Sequence, residues 1–229
     1  MDAVKKTGTR MDTKKLATLS MLVALAFVVM ALSKLLPSVN GFLDFDFKDV
    51  VLCIGGFVYG PVSALMMIVV VCILEMLSPW SDTGYVGCIM NIVATASFVC
   101  TACAIYKRHH TMKGAVIGLA AGVVMLIAVM LAWNYIITPG YQQIPREAVV
   151  DMLPTIFLPF NAVKGGLNMT ATLLLYKPIV SALRKAKLMP ESTSHAAPVG
   201  AKKHLGITIA ALFVFVSCVL FAMSLQGII

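Results

Sequence analysis

The segment "LPFNAVKGGLN", residues 158–168, decides how the chain is read. It lies inside a long apolar run, yet Lys164 stands in it between Asn161 and Asn168. The chain has 229 residues, 60% of them hydrophobic and 12% charged, whereas soluble domains carry about 25% charged residues. The chain therefore reads as an integral membrane protein. A lysine at the centre of a bilayer costs ~2.5–3.5 kcal/mol on insertion scales. Spacings of three and then four residues put Asn161, Lys164 and Asn168 on one helical face. The lysine thus belongs to a polar stripe that needs a buried network or a ligand.

Outward from this stripe, the chain divides into apolar runs. A hydrocarbon core of about 30 Å takes about 20 residues per helix. Runs are expected over residues 15–36, 50–59, 61–77, 86–106, 114–137 and 154–183, the last carrying the stripe. "PSVNGFLDFDFKD" (37–49) and "TPGYQQIPREAVVD" (138–151) read as polar loops, and "YGP" (59–61) as a break. Ten residues in the second run do not span a bilayer. That helix must be tilted, extended or buried against protein. A further run, 205–225, follows a polar linker. The fold class is all-α: a polytopic six-helix bundle with one appended C-terminal hydrophobic helix. The expected division is a tail at 1–13, a membrane domain at 14–188, a linker at 189–203 and the extra helix at 204–229.

Small residues mark packing faces. Gly114, Gly118 and Gly122 repeat every four residues and read as internal helix contact. Ser20 and Ala24 form a similar pair on the first helix, open to an external partner.

Most of the basic residues sort to one side of the alternation. Lys5, Lys6, Arg10, Lys14 and Lys15 precede the first helix. Lys107, Arg108 and Lys113 follow the fourth, and Lys177, Arg184, Lys185, Lys187, Lys202 and Lys203 follow or close the sixth. Asp44, Asp46, Asp49, Asp82, Glu147 and Asp151 fall on the other side. The positive-inside rule then places the N-terminus in the cytoplasm of a multi-pass cell-membrane protein. It also accounts for the net charge of +8. No basic stripe interleaved with aromatics appears, which argues against nucleic acid.

Motifs for chemistry are missing. Cys100 and Cys103 form a CxxC inside a membrane helix, and all six cysteines read as apolar packing residues. His109, His110, His195 and His204 lie in cytoplasmic segments, and no metal site is expected. No nucleophile–base set and no HExxH appears, so no enzyme activity is expected. There is no phosphate loop either; ATP-driven transport would need another chain.

The polar stripe has company. Asn134 lies near the end of the fifth helix, and Asn91 and Glu75 lie at the same level. Glu75 is read as a loop-edge charge or an ion-pair partner. Trp80, Trp133 and Tyr135 serve an interfacial belt or the same site. Amides donate and accept, and a lysine donates only. With aromatic walls, they suit a planar heterocycle rich in carbonyl and ring-nitrogen acceptors. A ligand site is preferred to a purely structural network.

Four segments carry a family resemblance: "LATLSMLVALAFVVM" (16–30), "FLDFDFKDVVLCIGGFVYGPVSALM" (42–66), "GCIMNIVATASFV" (87–99) and "LPFNAVKGGLN" (158–168). Over residues 14–188 the chain resembles the riboflavin-specific S component of energy-coupling factor (ECF) transporters. The resemblance implies a subunit that captures riboflavin from outside, without a cofactor of its own. Its partners would be a transmembrane T component and two ATPase subunits. It implies flavin contacts from Asn134, Asn161 and Lys164, and a closing loop with Leu43, Asp44, Phe45 and Asp46. Tyr141 joins this set as a flanking aromatic. Ser20 and Ala24 match the surface that packs on the T component. Alternatives are an S component for another heterocyclic vitamin, such as thiamine, or an ion-coupled secondary carrier. The latter usually shows an internal repeat, and none is found here.

Overall fold

The computed structural model describes residues 13–36, 38, 43–79, 81, 84–185 and 201–225. Residues 1–12 of the expected tail, residues 186–188 of the expected membrane domain, residues 189–200 of the expected linker (His195 among them), Trp80 and Asp82 lie outside the described residues. The described chain forms eight α-helices and one π-helical turn. They are α1 (Thr13–Ser33), α2 (Lys48–Tyr59), α3 (Pro61–Leu77), α4 (Gly84–Arg108), α5 (Met112–Gln142), α6 (Arg146–Met152), the π turn (Leu153–Phe157), α7 (Leu158–Lys185) and α8 (Ala201–Leu225). The six-helix core is α1 to α5 with α7. The short α6 lies in the connection between α5 and α7, and α8 is the appended helix.

Helices α1, α4 and α5 are each long and apolar enough to cross a membrane, and α3 and Thr208–Ser224 of α8 are shorter apolar helices. Large apolar side chains such as Val28, Val62, Ile117, Val124 and Phe213 are exposed, as a lipid-facing surface requires.

The short second helix takes the third of its expected options. At 12 residues and 1.5 Å per residue it is about 18 Å long. Every residue from Lys48 to Phe57 is buried, and α2 packs against α1, α3, α4 and α7. Surrounding protein does for it what length does for a spanning helix. It ends at Gly60, whose φ of 89° suits glycine. Pro61 then opens α3 at its first turn, where its missing N–H leaves no bond unmade.

Glycines set the helix spacing. A Cβ on Gly118 would lie 2.7 Å from the Ala102 carbonyl oxygen, and one on Gly122 would lie 2.7 Å from that of Phe98. The expected four-residue repeat is therefore the α5–α4 contact. The "GG" of α7 faces two ways. A Cβ on Gly165 would meet Val123 of α5 at 2.9 Å, and one on Gly166 would meet the Cys218 sulfur of α8 at 3.0 Å.

Two expected loops are corrected. Helix α5 continues beyond 137, through Pro139, and stops at Gln142 before the left-handed Gln143. A proline one turn from a helix end removes one late hydrogen bond without breaking the helix. Residues 146–157, placed in a loop or an apolar run, form α6 and the π turn. Pro154 explains the widening. It has no N–H to donate, and the Leu158 N–H reaches back five residues to the Leu153 carbonyl.

Candidate ligand-binding site

Helix α3 ends, and α4 and α7 begin, around one cavity of about 190 Å³, which Met130 and Asn134 of α5, Lys34 just after α1 and the connector 43–47 before α2 also line. Asn134, Asn161, Lys164, Leu43 and Asp46 line it, together with Lys34, Asp44, Glu75 and Asn91. The amide and lysine groups expected from the sequence are thus brought together from α5 and α7. Phe45 does not line the cavity. It is buried, with its ring centroid 5.1 Å from that of Phe160, which does. Tyr141 is not among the lining residues and is 44% exposed near the end of α5.

Asn134 and Asn161 are each held by their own helix. The Asn134 Nδ2 donates to the Met130 carbonyl at 2.7 Å, and its Oδ1 accepts from Thr138 at 2.9 Å. The Asn161 Nδ2 donates to the Phe157 carbonyl at 2.7 Å, at the end of the π turn. These bonds fix the direction in which each amide faces. Lys164 is half-buried, with its Nζ 6.0 Å from the Phe160 ring centroid. Among the described residues it makes no ion pair within 4.0 Å.

Asn168, last of the stripe, has a different task. It is 1% exposed, and its Nδ2 donates to the Asp46 carbonyl at 2.9 Å and the Lys164 carbonyl at 3.1 Å. It ties α7 to the connector 43–47, across 122 residues of sequence. Its Oδ1 is buried without a hydrogen-bond partner.

A charged network on the other side of the cavity was not foreseen. Lys48, read as part of a polar loop, opens α2 and is 1% exposed. Its Nζ donates to the Asp46 carboxylate and, at 2.8 Å, to Glu75. Its backbone N–H also donates to Asp46. Lys34 donates to Asp44 at 2.7 Å and lies 4.0 Å from Glu75. Glu75 is therefore an ion-pair partner, the second of its two expected roles. Asp49 accepts from Thr95 of α4 at 2.8 Å. The Phe47 N–H donates to Ser33 at the end of α1. Burial alone would raise the pKa of Asp46. The charges of Lys48 and Lys164 and its bonds from Lys48 outweigh that and hold it below the ordinary carboxylate value. The alternation of acidic residues in "DFDFKD" was the available signal, but composition alone gave it to solvent.

On the outside of the bundle, Ser20 and Ala24 are exposed on α1. Ser20 lines an apolar groove with Leu16, Val23, Met66 and Val70, between α1 and α3. The cysteines are all free thiols, and those of the CxxC pack beside the Pro61 and Cys53 carbonyls.

Comparison with known proteins agrees with this architecture. The chain is 33% identical over 180 residues to the riboflavin transporter RibU of Staphylococcus aureus (strain TCH60), covering 76% of this chain and 94% of that protein. It is 28% identical over 189 residues to the riboflavin transporter FmnP of Bacillus subtilis (strain 168), covering 78% of this chain and 100% of that one. A solved structure described as "Structure and mechanism of the S component of a bacterial ECF transporter" superposes with a TM-score of 0.64 at 32% identity. It covers 75% of this chain and 98% of its own. The family model "ECF transporter, substrate-specific component" matches residues 14–176. The chain therefore belongs to the substrate-specific components of ECF transporters, which are transport subunits and not enzymes.

Proposed function

We propose that this chain captures riboflavin in the cavity between α5, α7 and the connector 43–47. The observation that carries the reading is the convergence of Asn134, Asn161 and Lys164 on one cavity, in a chain whose relatives are named riboflavin transporters. Two amides and a cation supply donors and acceptors for the polar edge of a flavin. Phe160 supplies an aromatic wall. The cavity of about 190 Å³ is smaller than the ~300–1,000 Å³ of ordinary small-molecule sites. Entry of a flavin therefore requires the connector to move outward and return.

The cavity faces outward in this reading. Lys14, Lys15, Lys107, Arg108 and Lys113 gather at the opposite end of the bundle, which the positive-inside rule assigns to the cytoplasm. The N-terminus is then cytoplasmic. Uptake would be driven by ATP hydrolysed on two partner ATPases and coupled through a transmembrane T component. The exposed Ser20–Ala24 face of α1 is the surface offered to that component, because small residues let a partner helix approach closely.

Purified protein, freed of endogenous ligand, should quench riboflavin fluorescence saturably. Lys164→Ala and Asn161→Ala should each weaken binding several-fold or more, since one lost buried hydrogen bond costs ~1–3 kcal/mol. Absence of saturable quenching sinks the riboflavin reading. Unchanged affinity in both variants sinks the site.

A further inference from the structure

We propose that α8 is a clasp: it holds the connector 43–47 against α7 and so sets how readily the cavity opens. The consequence for ligand exchange rests on the cavity being the flavin site; the clasp itself does not.

The connector does not pack on the main core alone. Phe45, Phe160, Val163, Leu167 and Ala222 form a second buried apolar cluster, with Phe215, Cys218 and Val219 of α8 packed against it. One cluster thus joins three pieces of chain: the connector, the first turns of α7 and the last turns of α8. The helices run antiparallel, since Gly166 faces Cys218 while Phe160 and Val163 share the cluster with Ala222. Gly166 permits this approach. The inward positions Ala211 and Ala222 are also small, at 5% and 7% exposed.

The seat of α8 is narrow. Its other face, including Ile209, Leu212, Phe213 and Leu220, is exposed. In lipid that face gains nothing from burial, so packing and small residues hold the helix in place. A helix held this way can lift from α7. When it does, Phe45 loses one wall of its cluster, and the connector keeps its ties to Asn168, Ser33 and the lysines. Helix α8 also lies beyond the residues matched by the family. Relatives matched over 94% and 100% of their own length leave roughly a fifth of this chain uncovered. The clasp is an addition to the shared six-helix core.

The test uses the full chain in phosphatidylcholine nanodiscs. Gly166→Cys places a thiol opposite the native Cys218. The separation of 3.0 Å from the new Cβ to the Cys218 sulfur suits an S–S bond of about 2.04 Å. Mass spectrometry maps the cross-link. Hydrogen exchange of the backbone at 43–47 is then followed without ligand, oxidised and reduced. Oxidation should slow that exchange several-fold, and reduction should restore it. Ala222→Leu, which overfills the cluster, should speed it. Riboflavin dissociation should follow the same order. Failure of the disulfide to form, or its formation with unchanged exchange at 43–47, overturns the clasp. If unmodified protein does not bind riboflavin, the ligand reading fails, and the exchange result still judges the clasp.

Discussion

Replacing Asn168 with leucine separates the hold on the connector from the stability of the fold. The substitution keeps the forked shape and the number of heavy side-chain atoms, and it removes two polar atoms with opposite effects. The Nδ2 donates to the Asp46 carbonyl at 2.9 Å, and losing it loosens the connector by ~1–3 kcal/mol. The second bond, to the Lys164 carbonyl at 3.1 Å, lies within the helix, where that carbonyl keeps its backbone partner. The Oδ1 is buried with no partner, so removing it relieves a desolvation penalty of similar size. Global stability should therefore change little. Affinity should fall, because the cavity is complete in a smaller fraction of molecules. The lost bond bounds the rise in Kd at roughly 5- to 150-fold. Riboflavin titration by fluorescence quenching measures the first quantity, and thermal unfolding of ligand-free protein measures the second. Unchanged affinity with a clearly lowered Tm would refute the reasoning, because Asn168 would then serve the bundle and not the connector.

Three further outcomes follow from the packing. Lys48→Met should destabilise the ligand-free protein by about 3–5 kcal/mol, since it leaves two buried carboxylates, Asp46 and Glu75, without their shared cation; a chemical-denaturation midpoint equal to wild type would contradict this. Gly118→Ala should force α5 from α4, because its Cβ would stand 2.7 Å from the Ala102 carbonyl oxygen; overpacking of this kind costs roughly 1–3 kcal/mol and lowers Tm. Tyr141→Ala should leave riboflavin affinity within about twofold, the usual range for an exposed position away from a site; a larger loss would bring the end of α5 into contact with ligand.

Much of the candidate site was legible because its α7 residues stand at helical spacing. Asn161 and Lys164 lie three residues apart on one helix, and a lysine in an apolar run is expensive without a purpose. Asn134 stands on another helix and was legible from its level near the end of that run and from the family resemblance. Asn168 shares their stripe, but its partner is a backbone carbonyl 122 residues away, and a carbonyl leaves no mark in sequence. Lys48 was lost for the opposite reason. In "DFDFKD" four of the six residues are charged, which reads as solvent exposure, yet Lys48 pairs with Asp46 and Glu75 inside the fold. The limits of α5 and α7 were misread at prolines. Pro139 sits one turn from a helix end and Pro154 in a π turn; both positions tolerate the missing N–H that elsewhere stops a helix.

The paired glycines of α7 carry separate constraints. Gly165 answers to α5 of the shared core, whereas Gly166 answers to Cys218 of the added helix. The first constraint is set inside the six-helix core; the second holds only where α8 is present. Across homologues, the position of Gly165 should therefore stay small throughout, while that of Gly166 should drift to larger residues wherever the chain stops after α7.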